Sequence, residues 1–349
     1  MALVAVMALT ALVAAGVTLG VLQFQSRTNT QQVNLRAGVT IVEESAIVQV
    51  AAKAKPAVVS VVTQQAPQVA GASGYLLTSD GYIVTNVSAI AGATALTVLL
   101  SNDANLHTAR LIDYDCETGA AVIKIDQVSG LPTLAFADPT ALVEGQVLVA
   151  VGGPLGGGAV TPGYVSSLHQ SVTVIDPSVT VRSVQISDTI QTNVAIGRSS
   201  VGGPLLNVGG QVVGLAMQSQ GSNGTSGFGL NVADIQDEVQ QILTTGQLVV
   251  PSLGVTGTDL STQMALLSGL PEGSQITRLD SKGPADTAGL QVGDVITQLD
   301  DVKLDAAHPL SLLLRSRFHP NQRVTVTYSR AAAVAQVQLT LVGHHPTCA

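Results

Sequence analysis

Two serines, Ser199 and Ser200, stand immediately before Val201-Gly202-Gly203-Pro204. In a glycine-rich turn, a hydroxyl can attack a carbonyl carbon while nearby backbone N–H groups hold the developing oxyanion, which is the chemistry of acyl transfer. Such a hydroxyl needs an adjacent base to be nucleophilic at neutral pH. The chain has six histidines, His107, His169, His308, His319, His344 and His345, and none adjoins this turn in sequence. Val201 is β-branched and apolar, so no neighbour can make it attack anything. Ser199 and Ser200 therefore read best as solvated turn residues.

The elements around this turn are short and β-rich. Apolar runs recur at Ala57–Thr63, Tyr75–Leu77, Ala95–Leu100, Ala121–Ile125, Gln146–Val151 and Gln211–Met217, separated by Gly, Pro, Asn and Asp. That pattern points to an all-β barrel pair rather than alternating β and α units. The strongest hairpin signal, residues 204–215, directly follows the turn. A short helix is expected over Ala46–Ala54, ended by Pro56. A longer one is expected over Val232–Thr245, where Ile235, Val239, Ile242 and Leu243 share one face and Gly246 is the stop.

Several segments, in order, resemble the HtrA/Deg family, in which a trypsin-like double β-barrel precedes a PDZ domain. The resemblance runs from about Ser45 to Leu341. The family's nucleophile loop carries a serine directly before Gly-Gly-Pro, where this chain has Val201. Its Thr-Asn-x-His-Val-Val segment reads Thr85-Asn86-Val87-Ser88-Ala89-Ile90 here, so Ser88 stands at the base position. Its Thr-Asp-Leu-Ala-Val segment aligns with Thr118-Gly119-Ala120-Ala121-Val122, leaving Gly119 for the orienting aspartate. Its Asn-Pro-Gly-Asn-Ser loop reads Gly197-Arg198-Ser199-Ser200-Val201, so Ser199 replaces the oxyanion-hole glycine, whose ready access to positive φ it lacks. The resemblance thus implies a pseudoprotease with no catalytic residue at any triad position and no cofactor.

Farther on, Ser252-Leu253-Gly254-Val255 resembles the carboxylate-binding loop of the family's PDZ domains, whose first residue is often aromatic. Residues 282–296 resemble their Ser-Pro-Ala-x-x-Ala-Gly-Leu-x-x-Gly-Asp signature, with a short helix at Ala285–Gly289 and a strand at Val295–Leu299. Leu310–Arg315 is expected as the helix beside the peptide groove, and Arg323–Ser329 as a late strand. The implied peptide-binding residues are Ser252, Leu253, Gly254 and Val255. The implied fold is mainly β: a trypsin-like double six-stranded β-barrel and a PDZ domain behind an N-terminal transmembrane helix.

Composition narrows the partners. Charged residues make up 11% of the chain, against roughly 25% in an average soluble domain. With a net charge of −8 and no Lys/Arg-rich run, nucleic acid is excluded as an expected partner. Residues 1–24 carry no charged side chain and have the length of a membrane-crossing helix. They read as an anchor, the competing reading being a signal peptide cleaved near Ala14-Ala15-Gly16.

The expected layout is an anchor at 1–24, a polar stem at 25–44, a protease fold at 45–248, a PDZ domain at 249–343 and a tail at 344–349. Cys116 and Cys348 are too few for a disulfide scaffold and read as a loop thiol and a tail thiol, one bridge between them remaining the alternative. The tail residues His344, His345 and Cys348 lack zinc-ligand spacing, so a frayed end and no metal are expected.

Three functions follow. The first is a membrane-anchored scaffold outside the cytoplasm that binds exposed protein C-termini in a quality-control or regulatory role. The second is an endopeptidase with a relocated site. The third is an inactive subunit of a homo-oligomer or of a hetero-oligomer with an active HtrA paralogue.

Overall fold

The structure, a computed structural model, describes residues 42–65, 68–175, 183–217, 227–305 and 308–346. The chain divides into residues 1–44 and 45–349. The anchor expected at 1–24 and the cysteine at 348 lie outside the described residues. No described helix is long and apolar enough to cross a membrane.

A first helix, α1 (Val42–Ala54), runs into a 3-10 turn that contains Pro56. Six strands follow: β1 (Val58–Gln65), β2 (Gln68–Leu76), β3 (Tyr82–Asn86), β4 (Ala95–Leu99), β5 (Leu106–Tyr114) and β6 (Ala120–Ile125). They close in the order β1-β2-β3-β6-β5-β4. A second set, β7 (Val147–Val151), β8 (Val160–Ile175), β9 (Ser183–Thr192), β10 (Pro204–Leu206), β11 (Val212–Met217) and β12 (Gly227–Asn231), closes as β10-β11-β12-β9-β8-β7. Both barrels consist of antiparallel neighbours.

Successive side chains of a strand point to opposite faces, and in β3, β6, β7, β10 and β11 both faces are buried. Val59, Ile83 and Ile123 pack in one cluster, whereas their neighbours Val58, Val84 and Val122 join a different one. In the second barrel, Leu148 and Leu205 face the barrel core while Val149 and Leu206 join the same cluster as Val58. That shared cluster lies between the barrels. Burial on both faces explains why these strands read as continuous apolar runs rather than alternating ones.

Helix α2 (Val87–Ile90) is a single turn, and α3 (Val232–Thr245) matches the range expected from the sequence. Asn231 caps the start of α3 by accepting from the Ala233 N–H, and Gly246 ends it at φ +77°. Its Ile235, Val239 and Ile242 are buried in the inter-barrel cluster.

The C-terminal unit begins with β13 (Val250–Ser252) and β14 (Val255–Leu260). It continues through α4 (Thr262–Ser268), β15 (Gly273–Leu279), α5 (Pro284–Thr287), β16 (Val295–Leu299), β17 (Val302–Lys303), α6 (Leu310–Arg317), β18 (Arg323–Arg330), β19 (Ala333–Thr340) and β20 (Val342–His344). Its sheet runs β14-β15-β16-β18-β19, with β17 on β16, which leaves β14 as an edge strand. Leu253, Ile276, Leu290, Ile296, Leu313 and Phe318 centre its core.

Two expectations are corrected here. His344 and His345 are not frayed: β20 pairs with β13, and His345 Nε2 lies 2.8 Å from Asp113 Oδ1 of the first barrel. Cys116 is disulfide-bonded rather than a free loop thiol.

Candidate catalytic turn and peptide groove

Residues 198–200 form one 3-10 turn between Gly197 and Val201. This winding engages two of the turn's N–H groups. Ser200 N donates to Gly197 O at 2.9 Å and Val201 N to Arg198 O at 3.3 Å. Ser199 lies outside the positive-φ residues, as its Cβ favours, and Gly202, beside Val201, takes φ +79°.

The turn is pinned from the first barrel. Ser73 N donates to Val201 O at 2.8 Å, and Ser73 Oγ donates to Ser199 O at 2.5 Å while accepting from Gly153 N at 2.7 Å. Val201 is buried, and so is Ser200, whose Oγ faces Gly152 closely enough that a Cβ there would sit at 3.1 Å.

The three positions singled out by sequence come together. A Cβ on Gly202 would lie 3.0 Å from Asn86 N, at the start of α2, and Val87 N donates to Gly119 O at 2.8 Å. Ser88 is exposed, and its N–H is bound by Asn86 Oδ1 at 2.8 Å. Gly119 is buried with φ +80°, and a Cβ there would meet Asn86, Ile186 and Leu230 at 3.5–3.6 Å. At these three positions the cluster holds a hydroxyl, a hydrogen and an isopropyl group. His107, His308 and His345 are each bound to an aspartate elsewhere.

The end of β5 and the loop before Gly119 bind the C-terminal unit and the segment leading into it. Asp113 accepts from Leu248 N at 2.5 Å and holds His345. Arg315, in the last turn of α6, reaches Glu238 Oε1 at 2.6 Å, Glu117 Oε2 at 2.9 Å and Asp115. Thr118 Oγ1 donates to Glu238 Oε2 at 2.9 Å. Burial, and then the neighbouring Asp115, push the Glu238 carboxyl well above its ordinary pKa, with Arg315 opposing. Burial draws on Arg315 in the opposite sense, but the three carboxylates outweigh it and the guanidinium stays charged.

Sequence reasoning missed this network. Its one available signal was an acidic residue, Glu238, directly before Val239 on the apolar face of α3.

A groove of about 750 Å³ lies between edge strand β14 and α6. It is lined by Ser252, Leu253, Val255, Leu310 and Leu314, and also by Glu117 and His169 from the barrels. Leu253 O and Gly254 O accept from Ala285 N at 3.0 Å and Asp280 N at 2.9 Å. Gly254 sits at φ +71°, where a Cβ would press on Pro284 at 3.1 Å, so a glycine is required there. Of the four residues predicted for peptide binding, Ser252, Leu253 and Val255 line the groove and Gly254 forms the turn among them. An edge strand beside an apolar helix can accept an added peptide strand.

Residues 72–215 match the trypsin-like peptidase domain and residues 251–341 the PDZ domain. The chain is 33% identical over 279 residues to "Serine protease Do-like HtrA" of Lactococcus lactis subsp. cremoris, covering 74% of this chain and 67% of that protein. It is 34% identical to "Probable periplasmic serine endoprotease DegP-like" of Halomonas elongata, over 78% of this chain and 56% of that one. It thus spans roughly half to two thirds of the length of the curated relatives named here. Among solved structures it resembles "HtrA-type protease AlgW with decapeptide" at a TM-score of 0.68 and 25% identity, covering 86% of this chain and 99% of that one. A second, "HtrA-type protease AlgW with tripeptide", has a TM-score of 0.67 and 28% identity, covering 86% and 98%. With two closed six-stranded barrels, a following PDZ domain and this similarity, the chain belongs to the HtrA/DegP family of trypsin-like serine proteases with a PDZ domain.

Proposed function

We propose that this member of the family is a pseudoprotease whose working site is the PDZ groove, where it captures exposed protein C-termini as a scaffold or quality-control factor. The observation that carries the reading is the turn at residues 198–201. An isopropyl group stands in the nucleophile's place, and the Ser200 and Val201 N–H groups are spent on Gly197 and Arg198 carbonyls. This reading leaves no nucleophile at position 201 and ties up the N–H beside it, which an oxyanion would need. Ser88 and Gly119 supply neither base nor orienting carboxylate.

The groove supports the second half of the reading. It combines an exposed edge strand, a glycine loop and the aliphatic side chains of Leu310 and Leu314. A peptide added along β14 would gain backbone hydrogen bonds and place an apolar last side chain between strand and helix. Family relatives are named as periplasmic proteases and the similar solved structures carry peptides in their names. The layout proposed with this is an anchor at 1–24, a stem at 25–44, the barrels at 45–248 and the PDZ domain from 249, with both folded units outside the cytoplasm.

The test is binding of labelled peptides ending in valine to the full chain in detergent. Micromolar binding of the free acid, lost on C-terminal amidation, is expected. Nothing tighter than about 1 mM, roughly −4 kcal/mol, contradicts C-terminal capture.

A further inference from the structure

The carboxylate end of the groove is already occupied from within. Gly254 N donates to Ser252 Oγ at 3.0 Å. The loop cannot turn that N–H elsewhere, because Leu253 O and Gly254 O are held on the opposite side by Ala285 N and Asp280 N. The backbone of Ser252 is likewise fixed, by pairing with Val342. Only the Ser252 side chain is free to move, by a change of χ1 rotamer.

The nearest cation gives an arriving carboxylate little help. Arg315 lines the same groove, yet Asp115, Glu117 and Glu238 surround it, and Glu117 itself faces the groove. Backbone N–H groups are therefore the main donors left for a carboxylate, which makes the capture of one of them consequential.

We propose that the Ser252 hydroxyl is a built-in competitor for the ligand's terminal carboxylate, setting the affinity of the groove by occupying the Gly254 N–H until a peptide displaces it. The inference rests on the reading of the groove as a C-terminus site. Where this residue is serine, binding begins with the exchange of one hydrogen bond for another. Without the hydroxyl, the N–H is open and the carboxylate gains a bond with no internal bond lost.

The experiment compares wild type, Ser252→Ala and Ser252→Thr as full chains in detergent. The probes are a fluorescein-labelled peptide ending in valine with a free carboxylate and the same peptide as its carboxamide. Ser252→Ala is expected to bind the free acid about threefold to tenfold more tightly, the worth of one net hydrogen bond. The carboxamide should be unaffected, and Ser252→Thr, which keeps the hydroxyl, should match wild type.

Preference for the acid in wild type that grows in Ser252→Ala supports the inference. Preference for the acid in wild type with no gain in Ser252→Ala overturns the inference alone. No preference in either protein overturns it together with the carboxylate reading of the groove.

Discussion

Arg315, on the helix that flanks the PDZ groove, binds Glu238, on the helix that closes the barrel pair, at 2.6 Å. Both side chains are largely buried, and Asp115 and Glu117 complete the ring around the guanidinium. Asp113, at the end of β5, and Asp115 and Glu117, in the loop after it, thus hold the C-terminal unit. Gly119, in the same loop, is left-handed at φ +80°.

Removing Arg315 leaves the buried Asp115 and Glu238 without their cationic partner. Arg315→Met is expected to lower stability by about 3–5 kcal/mol, the usual cost of breaking a buried pair from one side. Urea denaturation of a chain beginning at Gln31 reads this directly. A loss below about 1 kcal/mol, the scale of an exposed pair, would show that the network is solvated.

Glu238 predicts a pH dependence of definite sign. Its folded pKa lies well above its ordinary 4.5, so the folded chain keeps a proton that the unfolded chain releases. Stability supplied by that proton is present below about 4.5 and is lost as pH rises through the folded pKa. The groups facing it are Asp115, Arg315 and Thr118. Glu238→Gln, which cannot ionise, should show a smaller decline in melting temperature than wild type from pH 4.5 upward. Parallel profiles would contradict the assignment.

Much of this architecture was legible in the chain, and the reasons differ by element. Helix α3 followed from an apolar stripe bounded by Asn231 and Gly246, signals that are local and independent of packing. Strand β16 lay at Val295–Leu299 as expected, because Gly293-Asp294 marks the turn before it. Helix α4 was missed because its exposed Leu266 and Leu267 give no buried stripe to read. The pairing of β20 with β13 was missed because it joins residues about ninety positions apart, a contact with no local signal. At the catalytic turn the residue types were legible, but the spending of Ser200 and Val201 N–H groups inside the turn was not.

Restoring the nucleophile alone should restore nothing. Val201→Ser still faces Ser88 and Gly119, and its own N–H remains tied to Arg198 O. The triple variant Ser88→His, Gly119→Asp, Val201→Ser is expected to fail as well, because an aspartate at φ +80° is strained. Hydrolysis of a chromogenic peptide by the single variant would show that the base lies somewhere other than position 88.

Membrane attachment is expected to reside in residues 1–24. Burial of some twenty apolar residues in lipid is effectively irreversible. Carbonate extraction should leave the full chain in the membrane pellet and release a chain beginning at Gln31. Release of the full chain with a new N-terminus near Gly16 would identify a cleaved signal instead.

The central claim is that the barrels carry no acyl-transfer chemistry, and a fluorophosphonate probe tests it most directly because it reports an activated serine without needing the right substrate. Purified full chain, incubated with the probe beside an active HtrA-type protease, should remain unlabelled. Labelling that maps to Ser199 or Ser200 and disappears when the labelled serine is replaced by alanine would contradict the account, by showing a nucleophile displaced from position 201 and activated by a base that the turn's geometry does not provide.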